Sequence, residues 1–244
     1  LDCPPDASPI RAGAWFFVSS ALPANYTRSC KSAFDRTPDW LSNSVTRVLL
    51  TAFEPYDRWP DNASWLALID LTRWHDGPIQ IVTRRYPVDI GKMSERLRTD
   101  LQEDYDLALH CGQAPGSSHL RLESVGLNLR TDGSEILSGA PAAYRSPLPL
   151  VAAASRIRAA GIPAAVSHHA GTYLCNAALF LSQHYINSFG MRTASAFVHM
   201  PLAPAQVARE NSDSPSMSTP MVSAALALMI EQLATTRNEQ RHLA

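Results

Sequence analysis

The spacing of apolar residues changes character near residue 45. Before it, Pro4, Pro5, Pro9, Pro23 and Pro38 break up the chain, and only the run Ala14-Trp15-Phe16-Phe17-Val18 could pack against a larger body. Residues 1–44 therefore read as an extension with little regular structure. After it, strand-like and helix-like periods alternate. Residues 45–53 read as a buried strand and 63–74 as a helix with Asn62 as its cap. Residues 79–86 form a strand, and 90–103 a helix with Ile90, Met93, Leu97 and Leu101 on one face. A short strand is expected at 107–110, and the alternation over 120–129 predicts one continuous strand. Residues 148–160 predict a helix closed by Gly161 and Pro163. Then come a strand at 164–167, a helix at 172–186, a strand at 194–198 and a final helix at 219–235. This order argues for one α/β domain over 45–244, with helices on both faces of a largely parallel sheet.

A chain of 244 residues, 45% hydrophobic and 18% charged, is large enough to bury a core without staples and too apolar to be disordered. Its 21 basic residues nearly balance 22 acidic ones, so it lacks the basic footprint of a nucleic-acid binder. The apolar run at 221–230 is too short and interrupted to span a membrane, although it invites a helix-to-helix contact between copies. Four cysteines (Cys3, Cys30, Cys111, Cys175) without a CxxC pair support neither a disulfide scaffold nor a cysteine zinc site. Cys3 and Cys30 would pair if the chain is exported and stay free in a reducing cytosol. The start at Leu1 fits either a removed leader or a truncation.

In an open α/β sheet, functional groups gather where strands end and helices begin. Three places fit. Cys175 falls in the first turn of a predicted helix, where unpaired amides and the helix dipole favour a thiolate; a cysteine among Leu174, Ala177 and Ala178 could equally be a small buried residue. His199 sits where an apolar strand ends, placed to act as a base or to serve as a hydrogen-bonded structural histidine. Glu123 is an acid within an otherwise uncharged alternating strand; facing inward it needs a partner, facing water it needs none. Together they have the composition of a thiol triad. His110, His119, His168 and His169 add no HExxH spacing, so a metal site is not expected. The Gly112-Gln113-Ala114-Pro115-Gly116 turn matches neither phosphate-binding fingerprint.

Read together, these segments resemble the pyroglutamyl peptidase I family of cysteine peptidases. Thr51-Ala52-Phe53-Glu54-Pro55-Tyr56 is similar to the family's opening Thr-Gly-Phe-(Glu/Asp)-Pro-Phe, and Gly112-Gln113-Ala114 to its Gly-Gln-Ala turn. Leu122-Glu123-Ser124-Val125-Gly126-Leu127-Asn128 resembles its Glu-Arg-Val-Ala-Ile-Asn strand. Ala170-Gly171-Thr172-Tyr173-Leu174-Cys175-Asn176 is close to the nucleophile motif, and His199-Met200-Pro201 with Pro204 and Gln206 to His-x-Pro-x-x-Pro-x-Gln. Spacings of ten residues from Gln113 to Glu123 and 24 from Cys175 to His199 agree. The resemblance implies a three-layer α/β/α sandwich with a largely parallel mixed sheet, of the phosphorylase/hydrolase group. It implies Cys175 as nucleophile, His199 as general base and Glu123 as the group orienting it. It places Phe53, Tyr56 and Tyr173 around a pyroglutamyl pocket and Gln113 beside the lactam. A flat, uncharged lactam suits an aromatic slot with a few hydrogen bonds.

The activity the resemblance implies is that of a cysteine exopeptidase, hydrolysing the amide bond after an N-terminal pyroglutamyl residue of a peptide or small amide through a thiol acyl-enzyme, in the cytoplasm, with neither metal nor cofactor required. Export is left open by the proline-rich extension. The departures lie around the pocket. Ala52 replaces a glycine, Asp57-Arg58-Trp59 a Gly-Gly turn, and His168-His169 an Asn-Thr pair. The segment after Asn128 is about ten residues short and loses an Arg-containing loop, leaving Arg130 as the nearest substitute; the 44-residue extension is additional. Asp57 and Arg58 would put charge at the rim, biasing acceptance of the residue after pyroglutamate. Two other readings fit the same residues: a cysteine amidohydrolase acting on another cyclic or N-acylated amide, and a non-catalytic binder of pyroglutamyl-like ends.

Overall fold

A computed structural model describes residues 45–243, with side chains through residue 239. The expectations for residues 1–44, including the fate of Cys3 and Cys30, lie outside the described residues. In chain order the elements are β1 (Arg47–Phe53), α1 (Ala63–Trp74), β2 (Gln80–Tyr86), α2 (Ile90–Asp100) and β3 (Leu107–Gln113). Then come β4 (Leu120–Glu123), β5 (Val125–Leu127), β6 (Ala143–Arg145), α3 (Leu150–Ala159) and β7 (Ala164–Ser167). The chain continues through α4 (Leu174–Ser188), β8 (Ala194–Met200), α5 (Pro204–Glu210) and α6 (Thr219–Leu243). Local chemistry sets several starts. Asn62 Oδ1 accepts from Ser64 N–H to cap α1, Asp89 does the same for Lys92 N–H on α2, and Pro204 opens α5 without losing a needed donor.

Six strands form one sheet in the order β2-β1-β3-β8-β4-β7. β2, β1, β3 and β8 are parallel, whereas β4 runs antiparallel to β8 and carries β7 with it. This is the mixed, mostly parallel sheet of the expected class. Strand alternation splits its side chains between two cores. Val48, Leu50, Leu109, Cys111, Val198 and Leu122 pack toward α1, α3 and α6. Leu49, Phe53, Ala108 and Phe197 pack toward α2 and α4, against Met93, Leu97 and Phe180. Each fully buried Leu or Phe contributes roughly 1.5–3 kcal/mol relative to exposure. The apolar run at 221–230 finds its partner helices inside the chain, in α1 and α3. Among the described residues no helix is long and apolar enough to cross a membrane.

The structure corrects four details. Residues 120–129 are two short strands, not one. The Ser124 N–H still bonds the Ser167 carbonyl, but its own carbonyl accepts from Ser146 N–H, and β5 turns away to pair with β6. β5 then lies directly on α4, where a Cβ at Gly126 would come within 2.6 Å of the Phe180 backbone nitrogen. β3 runs on to Gln113 and β8 to Met200, so His199 lies inside its strand, not just beyond it. The helix carrying Cys175 begins at Leu174, two residues later than expected. Neither β6 nor α5 was expected.

Candidate active site

Period-two alternation places the candidate groups on one face. In β8, Phe197 and His199 point the same way; in β3, His110 and Gly112 do so, and α4 packs over them. Cys175 is the second residue of α4, and an added Cβ on Gly112 would stand 2.9 Å from its Sγ and 2.7 Å from Phe197 Cζ. A side chain at position 112 would therefore displace the sulfur. Asn176, next in sequence, fixes the start of α4. Its Oδ1 accepts from Leu127 N–H at 2.8 Å, and its Nδ2 donates to the Leu127 and Leu129 carbonyls.

The reversed direction of β4 decides where the acid goes. Arg121 pairs with His199 across the strands and Glu123 with Phe197, so Glu123 sits one step deeper than His199. Glu123 is fully buried, and its Oε1 accepts from His199 Nδ1 at 2.8 Å. Arg121 Nε lies 3.5 Å from the same oxygen. Burial alone would lower the His199 pKa. The charge of Cys175 and its hydrogen bond to the ring, with the hydrogen bond and charge of Glu123, overcome that and push it up to about 9. The arrangement thus favours the protonated imidazolium form of His199.

Above this trio opens a cavity of about 190 Å³, lined by Phe53, Tyr56, Asn62, Val88, Gln113 and the 170–175 turn together with His199. The expected pocket residues Phe53, Tyr56, Gln113 and Tyr173 all meet there, at the C-terminal edge of the parallel strands. Burial, reinforced by the charge of Cys175, raises the Tyr56 phenol above its ordinary value, so it stays a neutral hydroxyl. Tyr173 caps α4 without a side-chain hydrogen bond to its amides and stands 57% exposed at the mouth. The first-turn amides of α4 are therefore left without a side-chain cap.

Two of the departures, at residues 57–59 and 168–169, have structural answers. Asp57 adopts a left-handed φ of 53°, the conformation a glycine would take, closing a turn from Tyr56 to Trp59. Trp59 is buried, Arg58 stacks over it at 4.9 Å and pairs with Glu210 at 2.8 Å. Neither Asp57 nor Arg58 lines the cavity. His168 hydrogen-bonds Ser124 Oγ at 2.5 Å and His169 accepts from Gly171 N–H, so both serve the loop rather than the cavity. His110 is buried on Thr51 Oγ1 at 2.8 Å, and burial lowers its pKa to about 3. Sequence reasoning did not single out Gly112, Arg121 or the pocket role of Asn62. The Gly-Gln-Ala turn was the one available signal, and only for Gly112.

Known proteins share this architecture. The profile of a family described as "Pyroglutamyl peptidase" matches residues 46–236. A pyrrolidone-carboxylate peptidase from Pectobacterium atrosepticum is 35% identical over 198 residues, covering 76% of this chain and 92% of the relative. The crystal structure of the pyrrolidone carboxyl peptidase from Fervidobacterium islandicum matches with a TM-score of 0.73 at 34% identity, over 78% of this chain and 99% of that one. Pyroglutamyl peptidase I from Bacillus amyloliquefaciens matches with a TM-score of 0.73 at 30% identity, over 79% and 98% respectively.

Proposed function

Because the chain belongs to the pyroglutamyl peptidase family, we propose that it hydrolyses the amide bond after an N-terminal pyroglutamyl residue, with Cys175, His199 and Glu123 as its working groups. The observation that carries this reading is His199, bonded to buried Glu123 at 2.8 Å and lining, together with Cys175, the same cavity of about 190 Å³. The Cys175 thiolate attacks the pyroglutamyl carbonyl, and the uncapped amides at the start of α4 stabilise the developing oxyanion. His199 gives its proton to the departing amine, leaving pyroglutamyl on the sulfur. It then takes a proton from water, which attacks the thioester and releases pyroglutamate. Glu123 fixes the ring so that Nδ1 keeps its proton and Nε2 faces the reaction. Phe53, Tyr56 and Tyr173 hold the flat ring, with the Gln113 amide beside it. The family resemblance extends to a cytoplasmic setting, where reduced thiols suit this chemistry.

Fluorophore release from pyroglutamyl, glutaminyl and prolyl amides tests the reading. Cleavage of the first alone is expected, because the free ammonium of the others loses its hydration in an apolar slot. Preferential cleavage of an N-acylated or different cyclic amide points to the amidohydrolase alternative. Tight pyroglutamyl binding without turnover points to a binder. Gly112→Ala should lower kcat/KM for the pyroglutamyl amide by about 10²-fold, since displacing a reacting atom by an ångström costs that much. Steady-state kinetics with a thermal melt check it, and an unchanged kcat/KM would show that Sγ does not work from this position.

A further inference from the structure

Gln113 ends β3, and Gln206 lies in the first turn of α5, 93 residues later. Two backbone amides decide how both side chains face. The Ala203 N–H meets one end of the Gln206 amide at 2.8 Å; a backbone N–H only donates, so that end is Oε1. Gln206 Nε2 must then face the other way, where it donates to the Asp61 carbonyl at 3.0 Å and to Gln113 Oε1 at 2.8 Å. Gln113 Oε1 also accepts the Ala63 N–H at 2.9 Å. Both lone pairs of that oxygen are occupied, and its orientation is fixed twice over. Gln113 Nε2 is turned away from them, buried and without a formed hydrogen bond, on a side chain that lines the cavity. The Tyr56 phenol, across the same cavity wall, feels this amide as a donor that opposes the rise in its pKa. Buried donors in folded proteins are rarely left unpaired unless something else comes to them.

We infer that Gln206 sets the hydrogen-bond polarity of the pocket: by holding the Gln113 oxygen inward, it presents the Gln113 NH₂ to the ligand and makes the site select a five-membered ring bearing a carbonyl over the same ring without one. This rests on the pyroglutamyl reading for the identity of the ring. Gln206 is a positioning residue. It is 2% exposed and does not line the cavity, and the cavity-lining side chain it bonds is Gln113. Without its donor, the Gln113 amide loses one of two restraints and can turn its oxygen toward the ligand, where it meets the carbonyl acceptor to acceptor. Gln206→Glu goes further. It keeps an oxygen for the Ala203 N–H but sets an acceptor against Gln113 Oε1, pulling the amide round.

The test uses the full chain, its Gln206→Met, Gln206→Glu and Gln113→Ala variants, and the double variant Gln113→Ala/Gln206→Met. Two readouts are taken. One is kcat and KM on pyroglutamyl and cyclopentanecarbonyl amides of one fluorophore. The other is the concentration of 2-pyrrolidinone, or of cyclopentanecarboxamide, that half-protects Cys175 from alkylation. Gln206→Met should raise KM for the pyroglutamyl amide and the protecting concentration of 2-pyrrolidinone about tenfold, with kcat and cyclopentanecarboxamide protection within about twofold, the scale of one neutral hydrogen bond. Gln206→Glu should lose more, and it reads the same ratios if the Met variant does not fold. In the Gln113→Ala background, Gln206→Met should cost less than about twofold further. Equal losses for both ligands, or additive losses in the double variant, would mean that Gln206 merely staples α5 to β3 and overturn the inference. If the wild type cleaves neither amide yet the protection ratio still shifts in Gln206→Met, the peptidase reading falls and the polarity inference stands. If it cleaves the pyroglutamyl amide and the ratio is unchanged, the reverse holds.

Discussion

Cys175→Ser is expected to reduce turnover of a pyroglutamyl amide by on the order of 10⁴-fold or more, the scale seen when a nucleophile is removed from a preorganised site. The hydroxyl replaces the thiol at nearly the same position, so pocket shape and melting temperature should barely change. Its oxygen, however, is far harder to ionise than sulfur, and an imidazolium that stabilises a thiolate does little for it. Binding of 2-pyrrolidinone should therefore persist while chemistry stops. Alkylation supplies an independent reading of the same group. Of the two described cysteines, Cys111 is fully buried in β3 and burial pushes its thiol up to about 12, whereas Cys175 opens onto the cavity. A small alkylating reagent followed by peptide mapping should mark Cys175 well before Cys111, and inactivation should track that mark. A serine variant that keeps more than a few per cent of the activity would place the nucleophile elsewhere and remove the acyl-thioester route.

The site is legible in the chain because of where its parts lie. Phe53, Gln113 and His199 stand at or near the ends of parallel strands, and Cys175 opens a helix. Each is signalled locally, by an apolar run that stops or a turn that begins. What escaped was set by partners distant in sequence. Alternation through residues 120–129 continues across Ser124, so nothing in the side-chain rhythm marks the point where the backbone changes neighbours. The fork depends on Ser146 and Ser167, 22 and 43 residues away. β6 is three residues with an exposed edge, too short to show a period. α5 is under two full turns, and its purpose lies in one side chain that reaches Gln113. Arg121 carries no signal of its own in the sequence, and its place beside Glu123 follows only once β4 is known to run backwards beside β8. That reversal also sets Glu123, whose face the alternation alone left open, opposite Phe197 and fully buried. A fold drawn with all strands parallel would have placed the acid at the wrong depth.

Glu123→Gln carries the second large expected effect, and the histidine determines its sign. In the folded chain His199 holds its proton up to about 9, above its ordinary 6.5, because Cys175 first and Glu123 after it outweigh the effect of burial. A raised pKa means that the native state binds the proton more tightly than the unfolded one. The stability this provides is complete below about 6.5 and lost as pH climbs through about 9. The protonated ring is also the form that protonates the leaving amine, so kcat/KM should show an alkaline limb near 9. Glutamine keeps the shape but removes the charge, and its amide can turn an N–H toward Nδ1, favouring the wrong tautomer. Catalysis should fall by about 10³–10⁴-fold, the scale of the corresponding acid-to-amide change in serine triads. The alkaline limb should move toward lower pH, and the decline of the melting temperature between about 6.5 and 9 should become shallower, with the Cys175 contribution left in place. Rates measured from pH 5 to 10, with melts at the same points, separate this from a packing defect, which would lower rate and stability at every pH and leave the limb in place. A Glu123→Gln enzyme with the wild-type limb would show that Glu123 does not govern the His199 proton, and the short Nδ1 contact would then be structural alone.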